Sequence, residues 1–259
     1  MRTDTRMKAV MYTAVCMKAL ICRNILTKAG MRMDKRNFLK ILQSVDAFFP
    51  VGAFTLSNGL EDYVLRERIG SEEDLGEYLN SFLQTFPYQD LGIMSLAYRN
   101  AGNREYLSVL DAVAAAVKGA KEIRLGSIRM CSRYVKAREA MGDCTGELRW
   151  YKEQIKEKKL LGFMPAALGL YAAELGFPQE EALTMYGYSS LSAIVNNAVK
   201  LVPLSQMAGQ RVLFESLERL EHAVNQAVAV ELSDIGISGT AYEVHCMNHE
   251  HLYSRQYMS

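Results

Sequence analysis

Four side chains that can bind metal ions lie close together near the end of the sequence. They provide three imidazoles and one thiol within seven positions: His245, Cys246, His249 and His251. Imidazole and thiolate are suitable ligands for transition-metal ions, and residues four positions apart lie on one face of a helix. The spacing matches no dedicated metal motif, so a flexible polar tail explains the same residues. We therefore predict no metal and no cofactor, and keep a metal-dependent enzyme that uses this tail as the alternative.

The rest of the sequence lacks the motifs of the common enzyme classes. It contains no G-x-S-x-G elbow, Walker A loop or dinucleotide fingerprint. Ser57 precedes a predicted helix, so its hydroxyl is expected to cap that helix rather than act as a nucleophile. His222 follows Glu218 by four residues, a spacing typical of a surface pair on a helix. No catalytic residue is predicted, and the protein is expected not to be an enzyme.

Composition and charge exclude further classes of protein. Of the 259 residues, 49% are hydrophobic and 23% are charged, as in ordinary globular proteins. Residues 1–36 contain nine of the 30 Lys and Arg residues but only two of the 29 Asp and Glu residues, which leaves the remainder acidic. An acidic body argues against nucleic-acid binding, and the apolar run near the start is too short to span a membrane. Five cysteines without a C-x-x-C pair favour a reducing cytoplasm.

Helical periodicity begins near residue 35 and continues through most of the chain. The first helix is predicted from an apolar stripe with steps of three and four residues: Phe38, Leu39, Leu42 and Val45. Ser71 followed by Asp74 predicts a capping box, in which the hydroxyl and the carboxylate accept hydrogen bonds from backbone amides. Glycine and proline residues divide the remaining pattern into helix-length stretches.

These patterns predict an all-α protein with a single bundle of about ten helices over residues 37–232. Pro203 is expected in the first turn of the longest helix, which would extend about 40 Å to Leu232. Residues 233–259 lose helical periodicity and are expected to form a mobile C-terminal tail that binds partners. Residues 1–36 are treated as a basic N-terminal extension of uncertain role.

Four stretches of the chain resemble the UreF family of urease accessory proteins, in the family's order. Residues 49–61, FPVGAFTLSNGLE, are similar to the family's F-P-x-G-x-F-x-x-S-x-G-L-E block. Residues 199–213 are similar to R-L-[IV]-P-L-G-Q followed by G-Q-x-x-[IL], and residues 249–255, HEHLYSR, resemble a terminal H-E-x-x-Y-S-R. Residues 124–133 correspond more weakly to a basic helix of the family. Together the four stretches cover about residues 38–259.

The resemblance implies that three of these stretches contain partner-binding residues. In the first stretch they are Phe49, Pro50, Gly52, Phe54, Ser57, Gly59, Leu60 and Glu61. In the other two they are Lys200, Pro203, Gln206, Gln210, His249, Glu250, Tyr253, Ser254 and Arg255. The sequence departs from the family pattern at three positions: Lys200 replaces a common Arg, Ser205 replaces a Gly, and Phe163 replaces a Gly-His pair.

The residue types suggest how these stretches would bind. Pro50 and Gly52 predict a sharp turn that exposes Phe49 and Phe54 for docking, with packing in the core as the open alternative. Arg255 is expected to pair with a carboxylate of a partner in a two-bond geometry that lysine cannot form.

The resemblance also implies partners and a role. It implies a homodimer that acts with UreD (also called UreH), the GTPase UreG and apo-urease during nickel incorporation. The chain would bridge UreD and UreG and couple the GTPase state to nickel delivery, while UreG binds the GTP. A helical scaffold unrelated to urease is the remaining alternative.

Overall fold

The computed structural model describes residues 34–257, apart from the side chain of Phe54, and contains no β-strand in this range. The first half contains α1 (Lys35–Val45), α2 (Leu60–Leu65), α3 (Glu72–Thr85), α4 (Asp90–Arg99), α5 (Arg104–Val117) and α6 (Lys121–Ala140). The second half contains α7 (Gly146–Lys156), α8 (Met164–Glu174), α9 (Gln179–Leu201), α10 (Gln206–Glu215), α11 (Leu217–Ala229) and α12 (Thr240–Asn248). Short 3-10 helices occur at Ala53–Thr55, Phe86–Tyr88, Leu232–Asp234 and His249–His251. The all-α prediction is confirmed, whereas most of the predicted N-terminal extension lies outside the described residues.

Helix α8 lies at the centre of the packing. Nine of its eleven residues are buried, so it has no polar face. Its most extensive contact is with α4, and α6, α7 and α9 pack around it as well. A Cβ atom added at Gly169 would lie 2.3 Å from the carbonyl oxygen of Met94, so the glycine allows α8 and α4 to approach closely.

A buried arginine connects α1 to α6 and α8. Arg138 is 1% exposed, and its guanidinium lies 4.4–5.5 Å from the centres of three aromatic rings, those of Phe49, Tyr134 and Tyr171. It donates hydrogen bonds to the carbonyl oxygen of Lys40, at 2.9 Å, and to the hydroxyl of Ser44. Asp143 supplies the opposite charge, with its carboxylate 3.4 Å from the guanidinium. A buried cation needs such partners because water is excluded from it.

This arginine explains why the predicted stripe on α1 is wrong at two positions. Leu39 and Leu42 are 60% and 45% exposed, whereas Ile41 and Ser44 face the interior. The periodicity of apolar residues favoured the leucines, but the interior beside α1 contains a charged group. A serine hydroxyl can hydrogen-bond to Arg138 there and a leucine cannot.

The predicted 40 Å helix from Pro203 to Leu232 is also wrong. Pro203 lies in the bend before α10, which starts after Ser205, and the Ser205 hydroxyl accepts a hydrogen bond from the amide of Ala208 at 3.0 Å. The chain breaks again at Ser216, which separates α10 from α11. Apolar spacing continues across the break, so the sequence pattern alone suggested a single helix. Helix α9, with 23 residues, is the longest in the described part of the chain.

Residues 233–257 are folded, in contrast to the predicted loss of helical structure after Leu232. Helix α12 packs against α2 and α6. Its inward positions include Cys246 and the flanking His249, both buried. Because part of its inward face is polar, α12 has no apolar stripe that periodicity could detect.

The predicted capping box at α3 is confirmed. The Ser71 hydroxyl accepts from the amide of Asp74 at 3.1 Å, and the Asp74 carboxylate accepts from the amide of Ser71 at 3.0 Å. Among residues 34–257, no helix combines the length and the apolar character needed to cross a lipid bilayer.

Candidate partner-binding site

The turn before α2 contains the first predicted binding stretch, and part of it faces inward. Phe49 is 6% exposed and packs on Tyr134 with 5.6 Å between ring centres, so of the two open alternatives it adopts packing in the core and not exposure for docking. The buried guanidinium of Arg138 provides a favourable contact for the Phe49 ring, which explains why this aromatic side chain points inward. Phe48 is 96% exposed instead, and Pro50 is exposed beside it.

The residues that follow this turn determine the position of α2 and do not form an exposed binding surface. Gly59 is the residue before α2 and has a φ of 77°, so the prediction that Ser57 caps this helix is wrong. Ser57 and Leu60 are fully buried, and the Ser57 hydroxyl has no hydrogen-bond partner among the described residues. The buried side-chain amide of Asn197 donates to the carbonyl oxygen of Leu56 at 2.9 Å, which attaches the turn to α9.

Helix α12 approaches this turn closely. A Cβ atom at Gly59 would lie 3.0 Å from the sulfur and 3.1 Å from the backbone nitrogen of Cys246. One turn into α2, Tyr63 stacks on His245 with 3.5 Å between ring centres. The Nδ1 atom of His245 lies 2.7 Å from the carboxylate of the fully buried Asp62. The end of the first stretch and the start of α2 are therefore packed against the helix that leads into the last stretch.

The central contact between the two stretches is a fully buried histidine between two carboxylates. The Nδ1 atom of His249 lies 2.6 Å from Glu122, and its Nε2 atom lies 3.0 Å from Glu61. Both ring nitrogens of His249 are therefore engaged, and the imidazole bridges the two carboxyl groups. We call Glu61, Glu122 and His249 the Glu–His–Glu cluster.

The end of the chain adds further partners to both carboxylates. The guanidinium of Arg255 lies 2.7 Å from Glu122. The backbone amides of Gln256 and Tyr257 donate to Glu61 at 2.7 and 3.2 Å. Arg255 therefore pairs within the chain, whereas it was expected to pair with a partner. Tyr253 makes no such contact and is fully exposed.

The four candidate metal ligands do not converge. His245 bonds to Asp62, His249 lies within the Glu–His–Glu cluster, and His251 is exposed. Burial raises the pKa of the Cys246 thiol to about 12, although a hydrogen bond with Tyr242 acts in the opposite direction, and a protonated thiol is a poor ligand. Within residues 34–257, no group of three or more His, Cys, Asp and Glu side chains has the geometry to hold a metal ion.

The third stretch forms an exposed surface. Lys200, Pro203, Gln206 and Gln210 are all exposed. The same segment of α10 presents two large apolar side chains, Met207 and Phe214, which are 66% and 73% exposed. Ser205 has a φ of −73°, so serine fits this position without the backbone freedom of glycine. Phe163, the third departure from the family pattern, is fully buried in the core.

Sequence comparison assigns the chain to a family. The family model described as UreF matches residues 69–217. A protein named urease accessory protein UreF from Haemophilus influenzae (strain PittGG) is 34% identical over 222 residues, which cover 85% of this chain and 94% of that protein. This chain belongs to the UreF family. Its relatives of the same name from Actinobacillus pleuropneumoniae and Paenarthrobacter aurescens (strain TC1) are 34% and 32% identical, each over 85% of this chain and 97% of the relative.

Several important residues of this UreF family member were not identified from sequence. Glu122 contacts both His249 and Arg255, yet it lies outside the motifs and resembles an ordinary acidic residue in the first turn of a helix. Asp62 directly follows the first stretch but is not part of it. Phe48 directly precedes the first stretch. It is exposed because Phe49, and not Phe48, packs against Arg138. No local signal distinguishes these residues, because each role depends on contacts distant in sequence.

Replacing Gly59 with alanine should destabilise the protein and loosen α12. A side chain at a φ of 77° costs about 1–3 kcal/mol, and the added methyl group would also push against Cys246. We expect a lower free energy of unfolding in urea and faster alkylation of Cys246, measured by mass spectrometry. The matched control is Gly76→Ala in α3, where no neighbouring atom lies within 4 Å and alanine favours the helix. Equal stability of the two variants would mean that the packing of α12 does not require glycine at position 59.

Replacing His249 with glutamine should break the buried hydrogen-bond bridge between Glu61 and the partly buried Glu122. Leaving a buried polar group without its partner costs about 1–3 kcal/mol. Adding Glu122→Gln should recover part of the loss, because it removes one of the two repelling charges. The exposed His251→Gln variant is the control and should change the free energy of unfolding by less than about 0.5 kcal/mol. If the two histidine variants unfold alike, the cluster does not hold the C-terminal segment.

Proposed function

We propose that this chain is an accessory protein for nickel incorporation into apo-urease. In this proposal it acts in the cytoplasm, bridges UreD (UreH) and the GTPase UreG, and helps couple the GTPase state to nickel delivery. The chain binds neither GTP nor a cofactor itself, and it is not an enzyme. The observation that carries the proposal is the identity of 32–34%, over 85% of the chain, with proteins named urease accessory protein UreF.

The exposed side chains support a binding role. Large side chains that are mostly or fully exposed in the described chain are Tyr253, Phe48, Phe214 and Met207. Aromatic side chains and methionine are enriched at protein interfaces, where burying them against a partner is favourable. The exposed side chains on the C-terminal segment and on α10 are therefore proposed to contact the partner proteins.

The buried members of the predicted site have a supporting role in this proposal. Phe49, Ser57, Leu60, Glu61 and His249 are removed from solvent and cannot touch a partner in this arrangement. They hold the turn before α2 and the C-terminal segment in place, which fixes the position of exposed residues beside them. The exposed apolar side chains of Leu39 and Leu42 on α1 support the homodimer that the family resemblance implies.

A deletion experiment tests the proposed function. The host would express the urease subunits and the other accessory proteins, with and without this chain. We expect urease activity and urease-bound nickel to fall to background without it and to return when the full chain is supplied. Nickel-loaded, active urease in cells that lack the chain would end the proposal.

Replacing Tyr253 with alanine should weaken binding to UreD without changing the fold. The side chain is fully exposed and makes no contact that stabilises the chain, so the helical circular dichroism should be unchanged. Loss of a tyrosine anchor costs about 2 kcal/mol at an interface, which lowers recovery of UreD more than tenfold. Tyr188→Ala, at a half-exposed tyrosine of α9, is the control. Normal recovery of UreD with Tyr253→Ala would remove this residue from the interface.

A further inference from the structure

A groove of about 420 Å³ runs beside α6, next to the Glu–His–Glu cluster. One side is formed by the turn before α2 and the other by the C-terminal segment. Its apolar lining comes from Leu56, Leu125 and Met130, and its basic lining includes Arg129, Arg133 and Arg255. A volume of this size accommodates a few side chains of a ligand.

The charges of the groove are not balanced within the described residues. Two of its cations are already paired: Arg255 with Glu122 at 2.7 Å, and Lys121 with Glu250 at 3.6 Å. Arg129 and Arg133 are exposed, lie one helical turn apart, and have no carboxylate within ion-pair distance among residues 34–257. Arg133 makes one neutral hydrogen bond, from its guanidinium to the carbonyl oxygen of Val51 at 3.1 Å.

We infer that this groove binds an acidic segment of a partner protein. Two guanidinium groups one turn apart can each form paired hydrogen bonds with a carboxylate. The neighbouring apolar side chains of Leu56 and Met130 fit the apolar residues of such a segment, and a bare inorganic anion would make no use of them. Outside residues 1–36 the chain has an excess of acidic residues, which disfavours a long polyanion such as nucleic acid.

The groove depends on the docked C-terminal segment, because Arg255 and Tyr257 form part of its wall. It therefore links the first and last binding stretches to the basic helix α6. The inference rests on the proposed function and adds to it the surface and the chemistry of one contact, made by arginines that were not among the predicted partner-binding residues.

The test reverses one charge of the groove in the full chain. In the urease-expressing host, Arg129→Glu should reduce recovery of the accessory complex on the tagged chain at least tenfold and should reduce urease activity. Arg129→Lys should retain more binding, because it keeps the charge but loses the paired geometry. Arg219→Glu is the matched control, since Arg219 is an exposed arginine of α11 that does not line the groove. Native recovery of the complex by Arg129→Glu would overturn the inference.

A synthetic peptide of alternating glutamate and leucine separates this inference from the proposed function. The purified native chain should bind the labelled peptide, with an affinity that falls as NaCl is added, and Arg129→Glu should abolish the binding. Equal binding by the native chain and Arg129→Glu, or no binding by either, would overturn the groove assignment. Failure of the native chain to support urease, with peptide binding intact, would instead reject the proposed function alone.

Discussion

The fold of the C-terminal segment depends on one buried side chain, the imidazole of His249 between Glu61 and Glu122. Polar groups removed from water need hydrogen-bond partners, and the imidazole provides one for the buried Glu61 and one for the partly buried Glu122. Arg255 and two backbone amides occupy further acceptor positions of the same carboxylates. A single set of charges thus joins α2, the start of α6 and the end of the chain.

The stretches that resemble the UreF family serve two different physical purposes. The first stretch is largely internal: Gly59 lets α12 approach, and Phe49 packs on a buried guanidinium. The third stretch is partly external and places Lys200 and Met207 in solvent, with the exposed Phe214 directly after it. The last stretch does both, with His249 inside and Tyr253 outside. A motif shared with a family therefore does not by itself mark a contact surface.

Local patterns in the sequence were sufficient for the helical class and for the capping box at Ser71, because both depend on neighbouring residues. The same patterns failed where distant contacts decide the structure. Helix α12 was missed because part of its inward face is polar, and the break at Ser216 was missed because apolar spacing continues through it. Glu122 could be found only once the fold had brought it to His249.

Helix α8 has a consequence for how the chain is made. Nine of its eleven residues are buried, and the helices that cover it include α9, which follows it in the chain. During synthesis the segment Met164–Glu174 leaves the ribosome before all the helices that pack on it have been made. An apolar helix exposed to water is prone to aggregate. A shortened chain that ends before α9 would therefore be insoluble, even though it would contain the first binding stretch intact.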